Sequence, residues 1–343
     1  MGNQIINKML KLKSRPMMDE VSSENFELVE EEVRDIEDGE ILVKNLYLSF
    51  DPTQRGWLND VPSYIPPVQI GEVMRAGSVG RVIESKNQNF SEDDIVQGSF
   101  GWQEYAISGE AAGFMPPQKL PEGISPTSAL SIYGITGLTA YFGMLDIGKP
   151  VENDTVLISG AAGATGSVAG QIARIKGASN IIGIAGGPEK CEWVVKEAGF
   201  DSCIDYKNED VAVRITELAP KGLNIYFDNV GGPILEYALG NIAQKARVVM
   251  CGGISSGYTM ERLAAGPSTI FNLIIQRGKM EGFIVIDYAE QFPNAIMELA
   301  GWVAEGKITY REDIAEGLEN CPGTLANLFK GKNFGKQLLK LSD

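Results

Sequence analysis

The residues with the most chemical promise lie in one stretch, "LISGAAGATGSVAG" (157–170), where Gly160, Gly163 and Gly166 stand three apart. An apolar β-forming run precedes them and a helix-spaced segment follows. In a strand–turn–helix unit the first glycine serves a tight turn. The second lets backbone approach a pyrophosphate, and the third lets the helix pack on the strand. The phosphates then meet the amides around Gly163, Ala164, Thr165 and Gly166 and the positive end of the helix. A glycine-rich turn alone is as often structural. A nucleotide site is expected here because the turn sits inside a repeated strand–helix alternation.

The second strand of that alternation reads into "IIGIAGGPEK" (181–190). An NAD site usually carries an acid at this strand's end, to grip the adenosine ribose. Here Gly186 and Gly187 stand there, and no acid comes before Glu189. Nothing repels a 2′-phosphate, and the glycines are expected to leave room for one. Lys190 falls in the first turn of the next helix, where a cation opposes the helix dipole unless an anion lies between. The pattern points to NADPH rather than NADH. The ordinary alternative is a solvated lysine paired with Glu189. Tyr206 ends the third strand, where it can cover the same phosphate or be a plain strand-end tyrosine.

"FDNVGG" (227–232) and "CGGISSGY" (251–258) end the fourth and fifth strands. Ligands of open sheets lie beyond the carboxyl ends of the strands. Asn229 and Ser255 are therefore candidates for ribose and nicotinamide, with Cys251, Gly252 and Ile254 beside them, and Tyr258 for substrate. Each also reads as turn chemistry, since Asn, Gly and Ser are standard turn residues.

Composition narrows the chemistry further. The 343 residues contain no histidine, which removes the commonest general base and every histidine-containing zinc site. The four cysteines, Cys191, Cys203, Cys251 and Cys321, are scattered without a CxxC pair, so neither a zinc site nor a disulfide framework is expected. A net charge of −15 argues against nucleic acid or an acidic membrane as partner. The N-terminus shows no signal-peptide pattern and no stretch approaches a membrane span, so a cytoplasmic setting is expected. Any chemistry falls to a cofactor or to Tyr, Lys, Asp, Glu or Ser.

The elements that must position these residues divide the chain. Up to about residue 130, β-rich runs such as "GEILVKNLYLSF" (39–50), broken by Gly and acidic turns, suggest a small barrel or sandwich. Between 154 and 287, strand and helix alternate six times, the pattern of a doubly wound parallel α/β sheet. Here "PSTIFNLIIQRG" (267–278) reads as a helix and "KMEGFIVID" (279–287) as the last strand. The tail from about 290 has one amphipathic helix, a short helix "NCPGTLANLFKGK" and a final strand "GKQLLKLS", and is expected to pack back on the first domain.

Several blocks in order carry a family likeness: "NLYLSFDPTQRGWL", "PSYIPPVQIGEVM", "GLTAYFGMLDIG", "AAGATGSVAGQIARIKG", "AGGPEKC", "DNVGG", "CGGISS" and "GLENCPGTLANLFKGKNFGK". The chain resembles the medium-chain dehydrogenase/reductase superfamily. Within it, it is similar to the zinc-independent, NADPH-dependent alkenal/one reductases, which include prostaglandin reductase and a bacterial curcumin-reductase branch. The resemblance implies a GroES-like β-barrel domain (1–130, with 304–343 returning to it), a Rossmann domain (131–303) and a homodimer. It implies that Lys190, Tyr206 and Ser255 hold the adenosine phosphate end. It sets Asn229, Asn333 and the backbone around Phe283 and Val285 along the nicotinamide, and Tyr64 and Tyr258 along the substrate cleft. Two departures fall on the substrate wall: Thr53-Gln54, where relatives usually have Tyr-Met, and Gly257, which lengthens the "SSGY" ending.

The implied reaction suits a chain without histidine. NADPH delivers hydride to the β-carbon of an enone, and a preorganised donor meets the enolate oxygen. Tyr258 is favoured for the oxygen contact and Tyr64 for aromatic packing, with the cofactor ribose or water also able to serve. The rival readings are a quinone reductase and a non-catalytic NADPH-sensing protein of the same fold.

Overall fold

The computed structural model describes residues 4–16, 21–109, 115–258 and 266–342. Its first unit is a seven-stranded sheet. β3 (Glu40–Ser49) is its spine, with Ile41, Leu42, Val43, Leu46 and Leu48 buried. Around it lie β4 (Ser78–Ser85), β5 (Ile95–Gly98), β6 (Tyr105–Gly109) and the short β7 (Gln118–Lys119). β1 (Ile6–Leu12) and β2 (Phe26–Glu32) form a separate antiparallel hairpin. Lys8 faces Glu30 across it, an attraction that suits exposed cross-strand pairs, and Lys11, opposite Glu27, pairs with Glu31. A single turn of helix, α1 (Thr53–Gly56), follows β3, and α2 (Pro126–Leu130) leads out of the unit.

The second unit holds β8 (Thr155–Ser159), β9 (Asn180–Ala185), β10 (Ser202–Asp205), β11 (Leu223–Asp228), β12 (Ile242–Met250) and β13 (Lys279–Gly282). Every pairing among them is parallel, in the order β10-β9-β8-β11-β12-β13. Order reverses between β8 and β11, the switch point at which such sheets open a crevice. Central strands are apolar along their middles: Val156, Leu157, Ile158, Ile181, Ile182, Ile225, Tyr226 and Phe227 are fully covered. The layers above and below come from α3 (Ile135–Phe142), α4 (Ala164–Ile175), α5 (Pro188–Lys196), α6 (Val211–Leu218), α7 (Gly232–Gly240), α8 (Asn272–Gln276) and α9 (Phe292–Ala304). After α9 the chain returns to the first sheet. β14 (Glu312–Glu316) and β15 (Lys336–Lys340), joined by α10 (Cys321–Phe329), add to β3, with Leu338 opposite Ser49.

Three local readings differ from expectation. The hairpin β1–β2 was not anticipated, because alternating charges mask its buried Met9, Leu10, Leu12 and Phe26. The "KMEGFIVID" strand ends at Gly282. Val285 then dives into the core beneath α3, and burial rather than β-propensity decides its conformation. The "PSTIFNLIIQRG" helix breaks into a 3₁₀ turn (Ser268–Phe271) and the short α8, leaving Phe271, Ile274 and Ile275 exposed.

Candidate active site

A cleft of about 480 Å³ runs along the carboxyl ends of β8, β9, β11 and β12, with residues of the first unit and the tail as its opposite wall. At its centre is the turn before α4. A Cβ at Gly166 would sit 2.3 Å from Gly160 O, so only glycine lets α4 seat this close to β8. The first amides of α4 have no acceptor within the helix and point along its positive end. The tail straps this turn: Gly335 N–H donates to Ala162 O at 3.0 Å, and Gly163 and Gly335 form a β-bridge. Gly163, Ala164, Thr165 and Gly166 all line the cleft. Backbone donors at a helix start, with no side chain to block approach, fit a dinucleotide pyrophosphate.

The adenosine end of the cleft differs in detail from the sequence expectation. The space over Gly186 is taken by the Tyr206 ring, whose atoms would lie 2.7–2.8 Å from a Cβ there. Room remains above Gly187, at φ +102°, with nothing near it. Lys190 is not paired with Glu189. Its Nζ donates to Gly331 O (2.7 Å) and Asn333 O (2.6 Å) in the tail. An ammonium has three protons, so one is left for an anion. Burial lowers the Lys190 pKa, and the like charge of Lys207 lowers it further. Lys207 drew no notice in the sequence; it does not line the cleft but places a second cation near Lys190. The nearby Asp205 carboxylate is occupied: it accepts from the amides of Gly187 and Lys207 and from Asn208 Nδ2.

Toward the middle, Asp228 Oδ1 gathers Tyr226 OH, Ser159 Oγ and the amides of Val230 and Gly231, which fixes the turn after β11. Asn229 follows. Its Nδ2 donates to Ser159 O at 2.7 Å, while its Oδ1 accepts nothing among the described residues. Ser255 spends its proton on Val230 O at 2.6 Å, as a turn residue would, and keeps only acceptor capacity. Cys251, Gly252 and Ile254 line the same wall. Burial, then the charge of Asp228, pushes the Cys251 thiol up to about 12, so it is neutral lining and not a nucleophile. Asn333 also faces the cleft.

Phe283 and Val285 do not. The Phe283 ring packs near Phe227 against Gly143, and Val285 is buried in the core, so their side chains are structural and only their backbone follows the end of β13. Tyr258 does line the cleft. Its OH accepts from Gly253 N–H at 3.2 Å, and burial raises its pKa. Tyr64 is not among the lining residues: it stands beyond them, 46% exposed, its hydroxyl hydrogen-bonded to Thr53 Oγ1, which does line the cleft, and reached by Trp57 Nε1 at 3.4 Å.

Thr53 lines the cleft, as expected, but the sequence reading missed much of the rest of the opposite wall, namely Phe50 to Pro52, Ile135, Thr136, Thr139, Leu328, Phe329 and Lys336. Lys336 Nζ, 2% exposed, donates to Phe50 O and pairs with Asp51, which Ser49 Oγ also supports at 2.7 Å. The partners lie 285 residues apart, and no local spacing could announce them.

Known proteins now bear on this geometry. Residues 8–116 match a family model described as the N-terminal domain of oxidoreductase, and residues 164–301 one described as zinc-binding dehydrogenase. The second description meets a chain without histidine. Among the described residues, no group of three or more Cys, Asp or Glu gathers to hold a metal. The NADPH-dependent curcumin reductase of Escherichia coli (strain K12) is 40% identical, over 98% of this chain and 97% of that protein. Prostaglandin reductase 1 of Bos taurus is 37% identical, over 93% and 94%. The crystal structure of CurA from Vibrio vulnificus in complex with NADPH superposes with a TM-score of 0.90 at 40% identity, over 98% of this chain and 99% of that one.

Proposed function

This chain belongs to the medium-chain dehydrogenase/reductase family, in the branch of the NADPH-dependent curcumin, alkenal and prostaglandin reductases, and from that premise we propose that it reduces the C=C bond of α,β-unsaturated ketones and aldehydes, aromatic curcumin-type enones among them. It is an oxidoreductase and its cofactor is NADPH. The observation that carries the enone reading is the make-up of one continuous cleft. A cationic phosphate end, with Lys190 and Tyr206, runs into an apolar end whose protic donor is Tyr258.

When bound, NADPH supplies the hydride that an enone accepts at its β-carbon as negative charge moves to the carbonyl oxygen. Gly163 to Gly166 hold the pyrophosphate by backbone amides, and Lys190 meets the 2′-phosphate with its free proton. Asn229 Oδ1 accepts from a ribose hydroxyl. The Tyr258 hydroxyl meets the developing enolate. Gly253 N–H occupies its oxygen, which leaves the O–H proton to donate. Its raised pKa keeps that proton in place at neutral pH. Tyr64 offers an aromatic face beyond the lining residues, and Phe329 and Ile135 help exclude water. Tyr258 or water then protonates the α-carbon.

Hydride addition of this kind needs no metal ligand. The domain division 1–130, 131–303 and 304–343 is proposed with it, as are a cytoplasmic setting and a homodimer. The dimer is supported by Phe271, Ile274 and Ile275, 69%, 72% and 62% exposed, beside the open edge strand β13. Large apolar side chains next to unpaired strand edges are ordinarily covered. The test of function is NADPH consumption against a panel of enones, enals, quinones and simple ketones. Turnover of enones and enals but not ketones is expected. Turnover of quinones alone would favour a quinone reductase, and none at all a sensing protein.

A further inference from the structure

Tyr258 occupies a backbone conformation that its side chain does not favour. Its φ is +52°, and the preceding Gly257 is at +67°, so two consecutive residues are left-handed. Glycine accepts this freely and tyrosine does not, so the Tyr258 peptide needs contacts that hold it. Within the loop its N–H donates to Ser256 Oγ at 3.3 Å. A second contact comes from across the cleft. Asn59 Nδ2, in the first unit, donates to Tyr258 O at 2.6 Å. Asn59 is in turn oriented by Arg55, whose Nη1 donates to Asn59 Oδ1 at 2.6 Å. A guanidinium only donates, so the Asn59 oxygen must face it and the amide hydrogens must face Tyr258. Arg55 is 1% exposed, and its Nη2 reaches Pro16 O at 3.3 Å. The base of this relay is therefore rigid.

The same short helix organises the other tyrosine. α1 carries Thr53, bonded to Tyr64 OH, then Arg55, and then Gly56, whose Cβ would lie 4.0 Å from Tyr258 Cδ1. Tyr258 is thus held at four points. Asn59 grips its carbonyl, Ser256 Oγ accepts its N–H, Gly253 N–H touches its hydroxyl, and the Phe329 ring of α10 stands edge-on at 6.4 Å. Of these, the Asn59 bond alone couples the tyrosine peptide to the wall that carries Tyr64.

We propose that Asn59 is a positioning residue for catalysis, clamping the Tyr258 peptide from the opposite domain and so fixing where its hydroxyl meets the enone oxygen. This rests on the donor role of Tyr258 proposed above. Misplacing a reacting group by about 1 Å can cost up to 100-fold in rate. Asn59→Asp keeps the acceptor for Arg55 but removes the donor to Tyr258 O. With an aromatic enone, its kcat should fall about 10-fold while the KM for NADPH stays within about twofold, since the phosphate end is untouched. The cycle is completed with Tyr258→Phe and the double variant. If Asn59 acts through the hydroxyl, the double variant should be no slower than Tyr258→Phe alone. Asn59→Ala, which removes the amide without adding charge, repeats the cycle, and melting curves report whether each variant is folded. An Asn59→Asp kcat within twofold of the parent would overturn the clamp, as would losses that multiply in the double variant. A Tyr258→Phe enzyme as fast as the parent would instead defeat the donor role of Tyr258, and this role of Asn59 with it.

Discussion

Lys190 donates to two tail carbonyls, so its ammonium is already oriented for the 2′-phosphate it is proposed to meet, and is not a loose surface chain. Replacing it with alanine removes one charge-assisted contact, worth about 1.5–3 kcal/mol. Binding of NADPH should weaken by roughly 10- to 150-fold, and that of NADH should barely change. Equal losses for both cofactors would show that Lys190 does not meet the phosphate. The pH dependence follows by sign. Lys190 has a lowered pKa, so its charge is complete below that value and is lost as pH rises through it, earlier than for an ordinary lysine. Tyr258 has a raised pKa and keeps its proton to higher pH. On the alkaline side the KM for NADPH should therefore rise before kcat falls, and steady-state kinetics between about pH 7 and 10.5 would show the order. At residue scale the choice of NADPH was legible in the sequence, because the missing acid and the misplaced cation both lie within "AGGPEK". Lys207 was not, since its influence passes through space to Lys190.

At the scale of elements, β15 ties both halves of the cleft together. Gly335 straps the turn before α4, and the next residue, Lys336, pairs with Asp51 just past β3. Removing one partner of a buried pair leaves an unpaired charge. Asp51→Asn should destabilise the protein by roughly 3 kcal/mol, read as a lowered urea midpoint. An unchanged midpoint would mean that Lys336 finds another partner. The alternating β/α pattern was legible because the central strands of the parallel sheet carry short apolar runs, such as "VLI" in β8 and "IIGIA" in β9. The run Phe283–Val285 misled for the same reason: β-branched and aromatic residues look alike whether they build a strand or fill a core. The wall from Phe50 to Pro52 was hidden because tail and first unit meet only after folding.

The whole molecule carries −15 in net charge and no histidine, yet shows an apolar surface around Phe271, Ile274 and Ile275. If that surface joins two copies, Ile274→Glu should shift the mass measured by light scattering from dimer toward monomer, with the cofactor site intact. A parent that is already monomeric would refute the assembly. The lack of histidine makes a second prediction: chelator-treated enzyme should keep its full enone-reducing rate, and loss of activity restored by zinc would contradict the proposed chemistry. The central claim is that hydride goes to carbon–carbon and not carbon–oxygen. NADPH deuterated at the nicotinamide C4, incubated with the enzyme and an aromatic enone in ordinary water, tests it directly when the product is read by NMR. A saturated ketone with deuterium on the β-carbon and protium at the α-carbon is the predicted result. Deuterium on a carbinol carbon, with the double bond retained, would contradict the account.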